Sequence, residues 1–485
     1  MDTKVKPVAV DKKSTIDADY LPLLWAALVL AWLPLLRPYQ WITDDYVLAN
    51  TLDSGWLAYV QESLKARGVW RFLQYAFTAL LLKMPGSGFG FLALIVHCGA
   101  ATGFYLAAAR FFRAETALMA ALIAFGFPWG LQAVWWASAF VYAVIALLFW
   151  VLVALFLTGK HHGLSQRALA AGGFCISLLA FYLHEGLIFA FVCVPLLLWL
   201  PLDKSLIHRC RHFWAGWAVV AAAAIYLLTY HFFYSSQVKQ PVDLRWQALF
   251  AAIYYQYTNV AVFVPWFSRP LREQIFLGWT PWHGMAAAVL VLLVAWSFFK
   301  VLLLPRQKQL SMRESPAFIW LILIGVAIVY VFSGGYALDS RKKYLLVPIV
   351  VLVVAACLRM ASDRQLRKSV WGGIVGLLIL AGTATTWLQL GIWRYETDCY
   401  SALTRAFSQY NIVRVKGFER IPNAYVEWPG AENYWGERLD QLSAVRFATR
   451  YAQRDDPVLD SREGWFLVYN LKQRKWVPGP CEMGQ

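Results

Sequence analysis

The strongest constraint on this chain is a series of eleven apolar runs, most of them about as long as a membrane is thick. They lie at about 21–37, 88–109, 115–131, 138–158, 168–183, 186–200, 213–233, 284–299, 316–334, 344–358 and 370–392. A helix needs roughly 17–25 apolar residues to cross a hydrocarbon core of ~30 Å. Within lipid only a helix or a closed barrel satisfies its own backbone. Unbroken runs without alternation select helices, and the short runs 186–200 and 344–358 leave the count open by one or two. Only 15% of the residues are charged, against ~25% in a soluble domain. A disordered chain, a collagenous one and a soluble multidomain enzyme are therefore excluded. The expected fold is an all-α polytopic membrane protein with about 11 transmembrane helices.

The net charge of +16 would suggest nucleic acid in a soluble protein. In a membrane protein it reflects Lys and Arg gathered on the cytoplasmic side, and no P-loop, zinc-type spacing or dinucleotide turn is present. Placing the N-terminus inside puts 19 Lys and Arg in the short inner segments and 11 in the longer outer ones. That density ratio is nearly threefold and fixes the orientation as N-inside. Residues 1–20 then form a cytoplasmic tail carrying Lys4, Lys6, Lys12 and Lys13. Because no clear cleavage site follows the first run, it reads as an uncleaved anchor. Residues 21–392 are the transmembrane domain, with long outer loops at 38–87 and 234–283.

An odd number of spans leaves 393–485 outside, in the periplasm of a bacterial inner membrane protein. This tail holds 13 Lys and Arg and mixed runs such as Gly464–Leu471 that suit strands, so a small α+β domain is expected. Cys399 and Cys481 bracket it, and in an oxidising compartment they would close a loop of about 80 residues; two separate thiols are the alternative. Within 55–82, apolar residues recur at three- and four-residue steps between Lys65, Arg67 and Arg71. This is an outer-face amphipathic helical pattern suited to the membrane interface. Trp135, Trp136 and Tyr142 stand at span ends, where such rings serve as interfacial anchors.

Three clusters carry chemistry. Asp44 and Asp45 follow the first span, and adjacent carboxylates at a lipid boundary favour cation binding or a basic role; a solvated pair or a helix cap is the bland alternative. His184 and Glu185 sit in the junction between two runs, where ionisable groups are costly enough to imply function, although a solvated turn also accommodates them. His97 lies in the middle of a run and reads as a hydrogen-bonded packing residue. Arg341, Lys342 and Lys343 place three cations on the outer side against the usual bias; an anionic phosphate or anionic lipid in general accounts for them.

The order of these segments resembles a known superfamily. Asp44-Asp45 is followed by VWRFLQYAFTALL (69–81), FPWGLQAVWWASAFVYAVIALLF (127–149), FYLHEGLIFAFVCVPLLL (181–198) and SRKKYLLVPIV (340–350). Over about 40–350 the chain is similar to the GT-C membrane glycosyltransferases, particularly protein O-mannosyltransferases and the lipid A aminoarabinose transferase. The resemblance implies a GT-C-like fold and an inverting transfer of a hexosyl or pentosyl group. The sugar passes from a polyprenyl-phosphate donor to a glycan, lipid or protein acceptor. It implies Asp44 or Asp45 as the base, and His184 and Glu185 as positioning groups for the acceptor or a cation. Arg341, Lys342, Lys343 and Arg71 would hold the donor phosphate, with Tyr46, Trp135, Trp136 and Tyr344 as aromatic lining. Some members need a divalent metal ion and others do not. The competing readings are an O-antigen-type polymerase or ligase, which relies on Arg and His in a large outer loop, and a transporter or flippase. A transporter would carry mid-membrane charges in repeated halves; here the charges gather at span ends and no internal repeat appears.

Overall fold

The computed structural model describes residues 20–38, 45, 48, 52, 55–67, 72–84, 86–110, 112–158, 164–184, 188–193, 214–233, 344–345, 347–349, 351–352, 355, 368–409, 412–415, 465–470 and 475–480. The runs at 284–299 and 316–334 and the loop 234–283 lie outside the described residues.

The helices are α1 Leu21–Trp32, α2 Trp56–Arg67, α3 Phe72–Leu82, α4 Gly88–Ala108, α5 Ala114–Phe125, α6 Leu131–Trp135, α7 Val141–Thr158, α8 Gln166–Leu183, α9 Ile188–Cys193, α10 Trp214–Phe233 and α11 Lys368–Gln409. Short 3-10 turns cover Leu33–Leu36 and Ala137–Ala139. Among the described residues, four helical segments are long and apolar enough to cross a membrane: Gly88–Ala108, Ala137–Leu157, Gln166–Leu183 and Ser369–Gly391. Leu227, Leu228, Leu377 and Leu380 are exposed on α10 and α11, an arrangement suited to lipid rather than water.

Local chemistry explains the boundaries. Pro34 cannot donate, so α1 tightens into a 3-10 turn at its end. Ser165 caps α8, its hydroxyl accepting the Ala168 N–H at 3.1 Å. The amphipathic pattern over 55–82 forms two helices, α2 and α3, which pack together. Tyr59 and Val60 of α2 face inward while Trp56 and Leu57 are exposed.

Helices α4 and α7 pack closely because Gly99 and Gly103, four residues apart, let the backbones approach. A Cβ on Gly103 would stand 2.9 Å from the Trp150 carbonyl carbon, the small-residue packing used between helices in lipid. Beyond α7 come α8 and then α10; on the other side of α4 lie α1, α5 and α11.

Helix α11 has 42 residues, or ~63 Å at 1.5 Å per residue, about twice a bilayer core. Its apolar part ends at Gly391, and beyond it Arg394 pairs with Asp398 at 3.8 Å on an exposed face. A three-stranded sheet follows, with β1 Ile412–Val415 parallel to β2 Trp465–Asn470, and β2 antiparallel to β3 Lys475–Pro480. Strand β2 falls inside the expected run Gly464–Leu471, and β3 contacts α11. The crossover that a parallel pair requires runs through residues outside the described set.

Candidate functional site

The site grows from a helix that stops early. The apolar run continues to about residue 131, yet α5 ends at Phe125 because Pro128 cannot continue it and disfavours helical backbone at Phe127. The stretch from Gly126 to Phe140 contains only a helix of five residues and a 3-10 turn, and it is almost wholly buried. Irregular backbone at membrane depth is tolerated only inside protein or along a cavity.

The end of α5 leaves carbonyls without helical partners, and side chains from four places meet them. The Trp129 indole N–H donates to the Ile123 carbonyl at 2.6 Å. The Phe125 carbonyl accepts from the Trp32 indole and from His97 Nε2, each at 2.9 Å. The Thr386 hydroxyl of α11 donates to the Gly126 carbonyl at 3.2 Å. Since a carbonyl only accepts, Nε2 of His97 carries a proton. In the neutral ring Nδ1 then accepts from the Tyr344 hydroxyl at 2.8 Å. Tyr344 is also packed against Gly130, where a Cβ would come within 2.7 Å of the Tyr344 Cα.

A second layer lies where α7 begins. Asp45 is fully buried, and its Oδ1 accepts the Ser138 N–H at 3.1 Å. This anchors the acid at the first turn leading into α7, where backbone N–H groups and the helix dipole favour an anion. Next to that turn, the Tyr142 hydroxyl and His184 Nε2 are 3.0 Å apart. His184 terminates α8 in extended backbone, so the ends of α7 and α8 are tied together by the pair. Phe140 of this layer packs against Phe89 at 5.2 Å, and His97 lies eight residues further along α4. The two layers are thus separated by about 12 Å at 1.5 Å per residue.

Of the expected site residues, Asp45, His184, Trp135, Trp136 and Tyr344 are described, and all border the segment from Gly126 to Phe140 or the helix ends beside it. Asp44, Tyr46, Arg71, Glu185, Arg341, Lys342, Lys343 and Cys481 lie outside the described residues, as does the side chain of Cys399. Trp135 and Trp136 differ from the interfacial anchors expected of their position: they are 3% and 1% exposed, inside the protein, whereas an anchor must reach the head groups.

His97 fits the expected packing role, with both ring nitrogens bonded. Ser138 and Gly130 were not singled out by the sequence; the Pro-Trp-Gly at 128–130 was the available signal for a break. Among the described residues, no three His, Cys, Asp or Glu side chains gather in one place. No family model, curated protein or solved structure matches this chain.

Proposed function

We propose that this chain is a GT-C-type inverting glycosyltransferase of the bacterial inner membrane, N-terminus inside and tail in the periplasm. It takes a sugar from a polyprenyl-phosphate donor. The observation that carries the reading is the buried Asp45 carboxylate, held at the start of α7 beside the Tyr142–His184 pair and next to the irregular backbone from Gly126 to Phe140. A carboxylate held among apolar side chains needs a use, and the Ser138 N–H fixes one of its oxygens in place.

In this reading the carboxylate of Asp45, or that of Asp44, receives the proton of the acceptor hydroxyl. The acceptor oxygen forms a bond to the anomeric carbon as that carbon's bond to the phosphate oxygen breaks on the opposite face, which inverts the configuration. The electron pair leaves with polyprenyl phosphate, whose charge Arg341, Lys342, Lys343 and Arg71 stabilise.

The test compares envelope glycans and glycolipids of cells with and without the protein by mass spectrometry. One sugar mass should be missing from a single class of glycan, and supplying the R341A/K343A variant should not restore it. Identical glycan profiles in both strains would sink the proposal.

A further inference from the structure

Polar atoms without protein partners inside a packed protein call for a partner such as water, an ion or a ligand, because each costs free energy when left unmet. Two such atoms stand on elements in contact with each other, one of which holds Asp45. The Ser138 Oγ is buried with no hydrogen-bond partner, although the Ser138 N–H is held by Asp45. The Gln74 Oε1 is likewise buried and unmet, on a residue only 9% exposed.

Helix α3, which carries Gln74, packs against the turn Ala137–Ala139. Phe77 of α3 stacks on Phe140 with centroids 6.1 Å apart, and Gln74 lies one turn before Phe77 on the same helix face. Gln74 and Ser138 therefore stand on two elements in contact, Asp45 is bonded to the second of them, and Trp135 and Trp136 come just before the turn.

The chemistry of this set is specific. An amide oxygen and a carboxylate accept, and a serine hydroxyl both donates and accepts. Such a set matches a ligand rich in neutral hydroxyl groups, which donate to amide and carboxylate oxygens and accept from serine. Neighbouring indoles suit the apolar face of a sugar ring. We infer that Gln74 and Ser138 are sugar-recognising residues that set which glycosyl group is accepted, beside the carboxylate that anchors their layer. The inference rests on the glycosyltransferase reading, since it assigns these residues to the transferred sugar.

It is tested with the full-length protein in detergent by thermal shift. The probes are undecaprenyl phosphate and undecaprenyl-phosphate mannose, glucose, galactose and N-acetylglucosamine, plus the corresponding methyl glycosides at high concentration. Undecaprenyl phosphate should raise Tm, and at least one glycosylated form should raise it further. In Ser138→Ala and Gln74→Met that extra, sugar-dependent increment should vanish, corresponding to an affinity loss of about five- to tenfold per lost hydrogen bond. The shift with undecaprenyl phosphate should persist.

The unliganded variants should melt at or above the wild-type temperature, because each removes an unmet polar atom; a purely structural role would lower it. Persistence of the sugar increment in both variants, lower unliganded Tm in both, or no sugar effect with wild type would overturn the inference. A shift from a methyl glycoside without one from any undecaprenyl probe would sink the lipid-donor reading and leave the sugar site standing.

Discussion

The proposed base role of Asp45 and its observed anchoring contact are separated by two substitutions. Its carboxylate accepts the Ser138 N–H at 3.1 Å from a fully buried position. In Asp45→Asn the amide oxygen still accepts that N–H. The exchange weakens a charge-assisted bond but removes the cost of burying an anion, so the stability change is within about 1 kcal/mol. In Asp45→Ala the N–H loses its acceptor and a cavity opens, a cost of about 2–3 kcal/mol.

Transfer should behave differently. Neither variant can take a proton from the acceptor, so both should fall by roughly 10²–10⁴-fold. Stability is read from thermal unfolding in detergent, and transfer from restoration of the missing glycan mass in cells lacking the protein. The expected order is wild type close to Asn and both above Ala for melting, but wild type far above Asn and Ala for transfer. An Asn variant that keeps a third or more of wild-type transfer would refute Asp45 as the base. If Asp44→Asn alone abolishes transfer, the base is the preceding residue and Asp45 is an anchor. An Ala variant as stable as the Asn variant would refute the anchor.

Two glycines offer a matched structural test. Gly130→Ala would place a Cβ 2.7 Å from the Tyr344 Cα, whereas Gly376 has nothing within 4 Å; the first should lower Tm and expression, and the second should be neutral or stabilising by up to ~1 kcal/mol from helix propensity. Orientation is testable by cysteine labelling in intact cells: Ser87→Cys, at the start of α4, should react with an impermeant maleimide, while Arg113→Cys, at the start of α5, should react only after permeabilisation. The opposite pattern would overturn the N-inside topology.

Much of the helical layout is legible in hydropathy. The runs at 88–109, 168–183 and 213–233 correspond to Gly88–Ala108, Gln166–Leu183 and Trp214–Phe233, because lipid-facing helices are apolar for as long as they last. Hydropathy and helicity part at two places. Phe127, Trp129 and Leu131 extend the run at 115–131 beyond the end of α5, since hydropathy registers the side chains and not the backbone's missing partners. At α11 the reverse happens: the helix continues past Gly391 with polar residues, where no bilayer limits its composition.

The site was legible only in part for a related reason. Asp45 and His184 drew notice because charge and imidazole are rare in apolar surroundings. Trp135 and Trp136 suggested anchors because burial against other helices cannot be read from one strand of sequence. Ser138 and Gln74 gave no signal at all. Their unmet polar atoms are visible only once the neighbouring elements are placed.

The shortened α5 ties these observations together. Each unmet carbonyl buried in an apolar interior costs several kcal/mol, so a helix cannot stop inside the protein unless donors are waiting. Here they come from Trp32 on α1, His97 on α4, Trp129 in the break itself and Thr386 on α11. Four separate parts of the chain are shaped around one interruption. A continuous α5 would satisfy its own carbonyls and make those side chains unnecessary, at lower cost in polar burial. The interruption instead turns residues 126–140 inward, where they supply the Asp45 anchor point, the two indoles and the Ser138 hydroxyl. The position of the break, set by Pro128, therefore determines where the candidate site lies, and the four donors satisfy the carbonyls that it leaves.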